Sequence, residues 1–249
     1  MNHYLIPDWP APARVKAYTT TRSGGCSLAP YDSFNLSFAV GDEATAVSSN
    51  RQQLIQELEL KQSPHWLVQT HSNLVLPLHK KSLPTDSPIT ADASFSREAN
   101  QICVVLTADC LPILLCDHHG TVVAAIHAGW RGLLNRIIES TIKALDVPGN
   151  RLLAWLGPAI GPTAFQVGNE LVAAFYQKSP VYLPAFTETQ GTWRADIYQL
   201  AINTLRTTGV THIYGGDYCT YTQPHWFFSY RRDQMVTGRL ASLIWLESD

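Results

Sequence analysis

The chain has 249 residues, 45% of them apolar and 15% charged, and carries a formal net charge of −2 at pH 7. Such a composition supplies a large core and a surface sparing in charge, which excludes a disordered chain. It holds no concentrated excess of Lys and Arg, so neither nucleic acid nor a membrane surface is expected as a partner, and any anion must be bound locally.

The opening stretch "MNHYLIPDWPAPARVK" is broken by Pro7, Pro10 and Pro12 and lacks the basic start and apolar run of a signal peptide. Nowhere does apolar sequence extend over the roughly 18 residues that a membrane span needs. The five cysteines, Cys26, Cys103, Cys110, Cys116 and Cys219, are odd in number and scattered without a framework spacing, as reduced thiols are. A cytoplasmic location and a monomeric state are the expectations.

In chain order, bounded apolar runs predict strands at 15–21, 65–70 and 73–78. Between the first two, 42–60 predicts a helix with Val47, Leu54, Ile55 and Leu58 on one face. The stretch 82–90, "SLPTDSPIT", reads as a surface loop. Strands follow at 101–107, 111–117 and 121–127. Over 129–146, Leu133, Leu134, Ile137, Ile138, Thr141, Ile142 and Leu145 recur at three- and four-residue steps, predicting one helix that stops before Pro148 and Gly149. A strand at 151–157 and helices at 169–177 and 195–209, the last entered at Asp196 and closed by Gly209, complete the pattern. The joins "ADC" and "HHG" are too short for helical crossovers and predict antiparallel hairpins. The expected fold class is therefore α+β, a single domain with mixed or antiparallel sheet packed by helices.

Cys110 and His127 lie at the ends of two runs that a turn at Gly120 would fold into one hairpin, which sets them side by side. "AGWRG" follows His127 and opens a helix whose first-turn amides face the same spot. His71, in "QTHSN", ends another apolar run. Three readings stay open on this pattern. The residues are strand-end core side chains; or Cys110 is a nucleophile with His127 as its base, oriented by Asp109 or His71; or His71, Cys110 and His127 hold one metal ion. Two imidazoles and a thiolate would leave a fourth tetrahedral position open, as in a catalytic zinc site. Elsewhere Arg22 precedes Gly24 and Gly25 in a loop able to present a guanidinium to phosphate, or is an ordinary exposed arginine. "YCTYTQPHWFFSYRRDQMVTGR" is either a ring-binding wall with basic neighbours or buried aromatics beside a solvated charge pair.

The stretches "TTRSGG", "NLS", "VGDE", "NR", "QTH", "TADCLPILL", "HAGWRG", "GPAIGP", "VGNE", "FFSYRRD" and "GR" together cover most of the chain. In combination they resemble the purine nucleoside phosphorylases of the laccase-domain type, a family also described as multicopper polyphenol oxidases and as peptidoglycan editing factors. The resemblance implies a single α+β domain over residues 1–249 with sheets sandwiched by helices, and a zinc site made by His71, Cys110 and His127, with copper as an alternative ion. It implies phosphorolysis of adenosine, inosine, guanosine and methylthioadenosine to base and sugar 1-phosphate, and deamination of adenosine as a second reaction. Peptidoglycan-precursor amide hydrolysis and copper-dependent phenol oxidation are the alternatives.

Purine nucleosides and phosphate are then the expected partners. Cys110, His127, Asp109 and Arg131 are the candidate catalytic residues, with Asp109 as the acid–base group. Arg22, Arg131 and the first-turn amides after Gly129 are the candidates for holding phosphate. The sequence departs from the family at Ser72, where glycine is expected and the larger side chain could narrow the pocket mouth. In "TADASFS" it keeps Asp92 as the only carboxylate. Against the oxidase stands the histidine content: nine residues, none in H-x-H pairs, where an oxygen-reducing copper cluster needs many.

Overall fold

The structure, a computed structural model, describes residues 3–79 and 89–248. The first half runs β1 (Tyr4–Leu5), β2 (Val15–Thr20), α1 (Ala44–Glu57), β3 (Leu67–Val68), β4 (Val75–Pro77), β5 (Ile89–Thr90), β6 (Ala93–Ser96), β7 (Cys103–Thr107), β8 (Leu111–Asp117) and β9 (Val123–Ala128). Then come α2 (Trp130–Leu134), α3 (Ile137–Leu145), β10 (Leu152–Leu156), β11 (Gln166–Val167), α4 (Asn169–Lys178), β12 (Phe186–Thr189), β13 (Thr192–Ala195), α5 (Ile197–Thr207), β14 (His212–Gly215) and β15 (Leu240–Leu246). Of the predicted loop at 82–90, residues 82–88 lie outside the described residues, and Ile89–Thr90 form β5.

Two sheets stack face to face. One is the antiparallel β1-β2-β15-β7; the other is the mixed β14-β10-β8-β9-β6-β4, whose outermost pairs are parallel. Strand periodicity explains the stacking, because successive side chains point to opposite faces. In β8, Leu114 and Cys116 meet Val123, Ala125, Leu153 and Trp155 of their own sheet and Val15, Ala17, Val105, Ile244 and Leu246 of the other. Leu111, Ile113 and Leu115 face outward, into a core closed by α3, α4 and α5. On the far side Val104, Ala241, Leu243 and Trp245 pack with Leu54 of α1. Strands buried on both faces read as continuous apolar runs, and here they form the middle of a helix–sheet–sheet–helix stack. The α+β class with sheets sandwiched by helices is what the structure has.

The hairpin of β8 and β9 forms in the expected register, Leu111 opposite Ala128 and Pro112 opposite His127. The other expected hairpin does not form. β7 pairs with β15, and β8 pairs with β9 and β10, so at Ala108-Asp109-Cys110 the chain steps from one sheet to the other. Asp109 takes φ +85 at this step. The predicted helix over 129–146 is two helices. Arg136 adopts φ +69 between them, and Asn135, at the end of α2, donates from Nδ2 to the His71 carbonyl at 3.3 Å. The side-chain period continues across the break, which is why sequence reading missed it. α5 is capped as expected, Asp196 accepting from the Gln199 N–H at 3.1 Å.

Candidate active site

His71, Cys110 and His127 converge where the two sheets diverge. Cys110 shares the parity of Leu114 and Cys116, and His127 that of Val123 and Ala125, so the hairpin carries both toward the inter-sheet face at its open end. His71 arrives on the loop after β3. Gln69 fixes that loop by exchanging two hydrogen bonds of 2.7 Å with the backbone of Leu106 in β7. The three ligand atoms lie within 4.8 Å of one another, and His71 Nε2 is 3.7 Å from Cys110 Sγ. Bonds of about 2.3 Å to sulfur and about 2.0 Å to nitrogen would place tetrahedral neighbours roughly 3.5 Å apart, so the donor set fits a zinc ion after a small closure. Gly129 makes the approach feasible: a Cβ there would stand 2.9 Å from both Cys110 Sγ and His71 Cδ2.

Asp92 organises the group. It is fully buried, and it accepts from the N–H of Thr70 (3.1 Å), His71 (2.9 Å) and Ser72 (2.7 Å), from the Ser72 hydroxyl (2.7 Å), and from His127 Nδ1 (2.8 Å). Its burial opposes ionisation, but the hydrogen bonds from His127 and Ser72 outweigh that and hold its carboxyl well below the usual range. With Nδ1 spent on Asp92, His127 keeps Nε2 for an ion, the arrangement in which a carboxylate orients a ligating imidazole. Ser72 does not line the pocket mouth; its hydroxyl is turned onto Asp92. Burial also works against the Cys110 thiolate, yet the charge and hydrogen bond of His127, then those of His71, bring the thiol down to about 6. For His127, burial is overcome by the Cys110 charge and the Asp92 hydrogen bond, and the imidazolium rises to about 9.

The triad borders a cleft of about 820 Å³, in the range of small-molecule sites. Trp66, Phe38, Trp130, Phe165, Ile160 and Tyr230 give it apolar walls. Asp109 and Arg131 line it as well. Both Asp109 oxygens are engaged, one by the Thr220 hydroxyl and one by the Arg231 N–H, each at 2.6 Å. Arg131 is exposed and stacks on Trp130 at 4.1 Å.

Arg22 is a correction. It does not line the cleft; its guanidinium bonds the Asp32 and Pro224 carbonyls, pairs with the Asp32 carboxylate at 3.4 Å and covers the Phe228 ring. Its loop folds back on the chain because those partners satisfy its donors. The aromatic and basic segment near the C-terminus divides between its two readings. Phe227 and Phe228 are fully buried and Arg232 pairs with Asp233 at 2.7 Å, whereas Tyr230, Arg231 and Arg239 face the cleft. Sequence reading missed Arg51, half-buried on α1, although "NR" stood among the quoted stretches.

Among the described residues this is the one group of three or more His, Cys or carboxylate side chains placed to hold an ion. The family model described as multi-copper polyphenol oxidoreductase laccase matches residues 16–247. The chain belongs to this family. Among its laccase-domain relatives, a protein named purine nucleoside phosphorylase from Pseudomonas aeruginosa is 48% identical over 99% of this chain and 100% of its own. The Escherichia coli purine nucleoside phosphorylase YfiH is 47% identical with the same coverage. A crystal structure of a Neisseria meningitidis protein superposes with a TM-score of 0.93 at 44% identity, over 99% of this chain and 100% of that one. YlmD from Geobacillus stearothermophilus gives 0.91 at 27% identity, covering 99% and 97%.

Proposed function

We propose that this laccase-domain protein is a zinc-dependent purine nucleoside phosphorylase acting on adenosine, inosine, guanosine and methylthioadenosine, with deamination of adenosine as a second reaction. The observation that carries the reading is the convergence of His71, Cys110 and His127 on an aromatic-walled cleft of nucleoside size. The names of the relatives at 47–48% identity supply the reaction class.

His71, Cys110 and His127 would hold the zinc, which supplies a Lewis acid with one free coordination position. The chain's own residues do the rest. Cys110 is ready as a thiolate near neutral pH, and Asp92 aims the His127 ring. The indoles of Trp66 and Trp130 and the rings of Phe38 and Tyr230 offer flat surface to a purine. Arg131 stands at the rim as a positive guide for phosphate, beside the first-turn amides of α2. Asp109 is the candidate for moving a proton; each of its oxygens already accepts one hydrogen bond, from Thr220 or from Arg231, which fixes the carboxylate at the cleft wall.

Copper-dependent phenol oxidation asks for several copper centres, whereas one candidate ion site is present among the described residues; a single copper occupying the zinc position is the form of that reading left. The deciding experiment incubates adenosine with the protein, with and without phosphate. Adenine should appear only with phosphate, inosine in both, and Cys110→Ala should abolish both. Failure of both reactions, with turnover of a serine-containing muropeptide precursor, would replace this reading with the amidase.

A further inference from the structure

The cleft holds more positive charge than its neighbours neutralise. Arg51, Arg131, Arg231 and Arg239 line it, and none of them forms an ion pair with a carboxylate among the described residues. The only lining carboxylate, Asp109, is already occupied by Thr220 and the Arg231 N–H. Arg131 and Arg231 are exposed, where water solvates them. Arg51 and Arg239 are half-buried, and there an unpaired guanidinium is costly. Burial accordingly pulls Arg51 down to about 10 and lowers Arg239 as well.

The two are tied to one short segment. Arg51 Nε donates to the Leu36 carbonyl at 2.8 Å, the Leu36 N–H to the Arg239 carbonyl at 3.4 Å, and the Arg239 N–H to Asn35 Oδ1 at 2.9 Å. Aromatic rings occupy the guanidinium faces: Phe38 at 4.5 Å and Trp66 at 3.8 Å for Arg51, Tyr230 at 5.5 Å for Arg239. The edges are less used. Among the described residues the Arg51 guanidinium has a hydrogen-bond partner only at Nε, and that of Arg239 only at Nη1, which bonds the Thr237 and Gly238 carbonyls. Rigid, stacked forks with free N–H edges are what a tetrahedral oxyanion engages in bidentate fashion. Arg51 and Arg239 line the same cleft as His71, Cys110, His127 and Asp109.

We infer that Arg51 and Arg239 form an oxyanion subsite that takes inorganic phosphate beside the His71, Cys110 and His127 centre. The inference deepens the phosphorylase reading and rests on it for the identity of the anion. The chain's net charge of −2 provides no general field for anions, so the binding is local to this pair.

Calorimetric titration of the purified protein with inorganic phosphate, without nucleoside, is the test. Arg51→Gln and Arg239→Gln should each weaken phosphate binding by about tenfold or more. In turnover they should raise KM for phosphate far more than KM for nucleoside. Arg22→Gln should bind phosphate as the parent does. Because Arg51 also braces Leu36, a second measurement uses the unaltered protein: phosphate should shield Arg51 and Arg239, and not the exposed Arg206, from phenylglyoxal, read by mass spectrometry. Unchanged phosphate affinity in both variants, an effect confined to KM for nucleoside, or protection by adenosine monophosphate but not by inorganic phosphate overturns the subsite. If phosphate binds through the two arginines but adenosine is not cleaved, the subsite stands and the phosphorylase reading falls. Phosphate-dependent cleavage with KM for phosphate unaltered in both variants gives the reverse.

Discussion

At Asp92 a single buried carboxylate takes hydrogen bonds from three successive backbone amides, the Ser72 hydroxyl and the His127 ring. It sets both the loop that carries His71 and the nitrogen that His127 turns to an ion. Asp92→Asn puts an amide NH2 among those donors and should weaken zinc binding by roughly 10- to 100-fold, measured by competition with a chromophoric chelator. Equal affinity in the variant removes the orienting role. Cys110 allows a check by pH. Its lowered pKa means that in metal-free protein the thiolate fraction, and with it the iodoacetamide rate at Cys110, should climb through pH about 6 and level off well below pH 9. Falling pH protonates the sulfur and slows the reaction. His127→Gln, which removes the neighbouring positive charge, should move the inflection upward. Residue types made Cys110, His127 and His71 legible as candidates, since few side chains combine those chemistries. They did not tell apart a free carboxylate from an engaged one, and Asp109, whose oxygens are both taken, shows the difference.

Among the elements, β15 is an interior strand of one stacked sheet and faces the other. It runs antiparallel between β2 and β7, with Ile244 in the inter-sheet core and Leu243 and Trp245 toward α1. Ile244→Ala should leave a void that both sheets border and cost about 2–5 kcal/mol in urea unfolding. A loss under about 1 kcal/mol would mean that the sheets close over the gap. The β8–β9 hairpin was readable because two continuous apolar runs are separated by only a short polar turn ending at Gly120, where φ is +64. The join from β7 to β8 was not. A three-residue break looks the same whether the chain returns within its sheet or steps to another, and only the partner offered by β15, more than a hundred residues later, decides between them.

For the molecule as a whole, the candidate ion site lies where β8, β9 and the loop after β3 meet, so an ion bound there would tie those segments together. Metal analysis of protein purified without added metal should find about one zinc per chain. Its removal by chelator should lower the thermal midpoint, since an ion present at 100 times its Kd adds about 2.7 kcal/mol to the folded state. Absence of metal, with an unchanged midpoint on adding zinc, would count against the site. No helix of the described residues is long and apolar enough to cross a membrane.

By itself the sequence determined the fold class and singled out His71, Cys110 and His127 as candidates, leaving core, nucleophile and metal readings open until the family resemblance favoured a metal. Hydrophobic period and join length are local properties, and Cys110, His127 and His71 announce themselves by chemistry. Only the tertiary structure decided what surrounds them: which sheet each strand enters, that Asp92 orients the trio while Arg22 is spent elsewhere, and that Arg51 from α1 and Arg239 from the edge of β15 share one cleft. Proximity between segments so distant in sequence follows from how whole sheets and helices bury their faces against one another, and no local pattern of residues carries it.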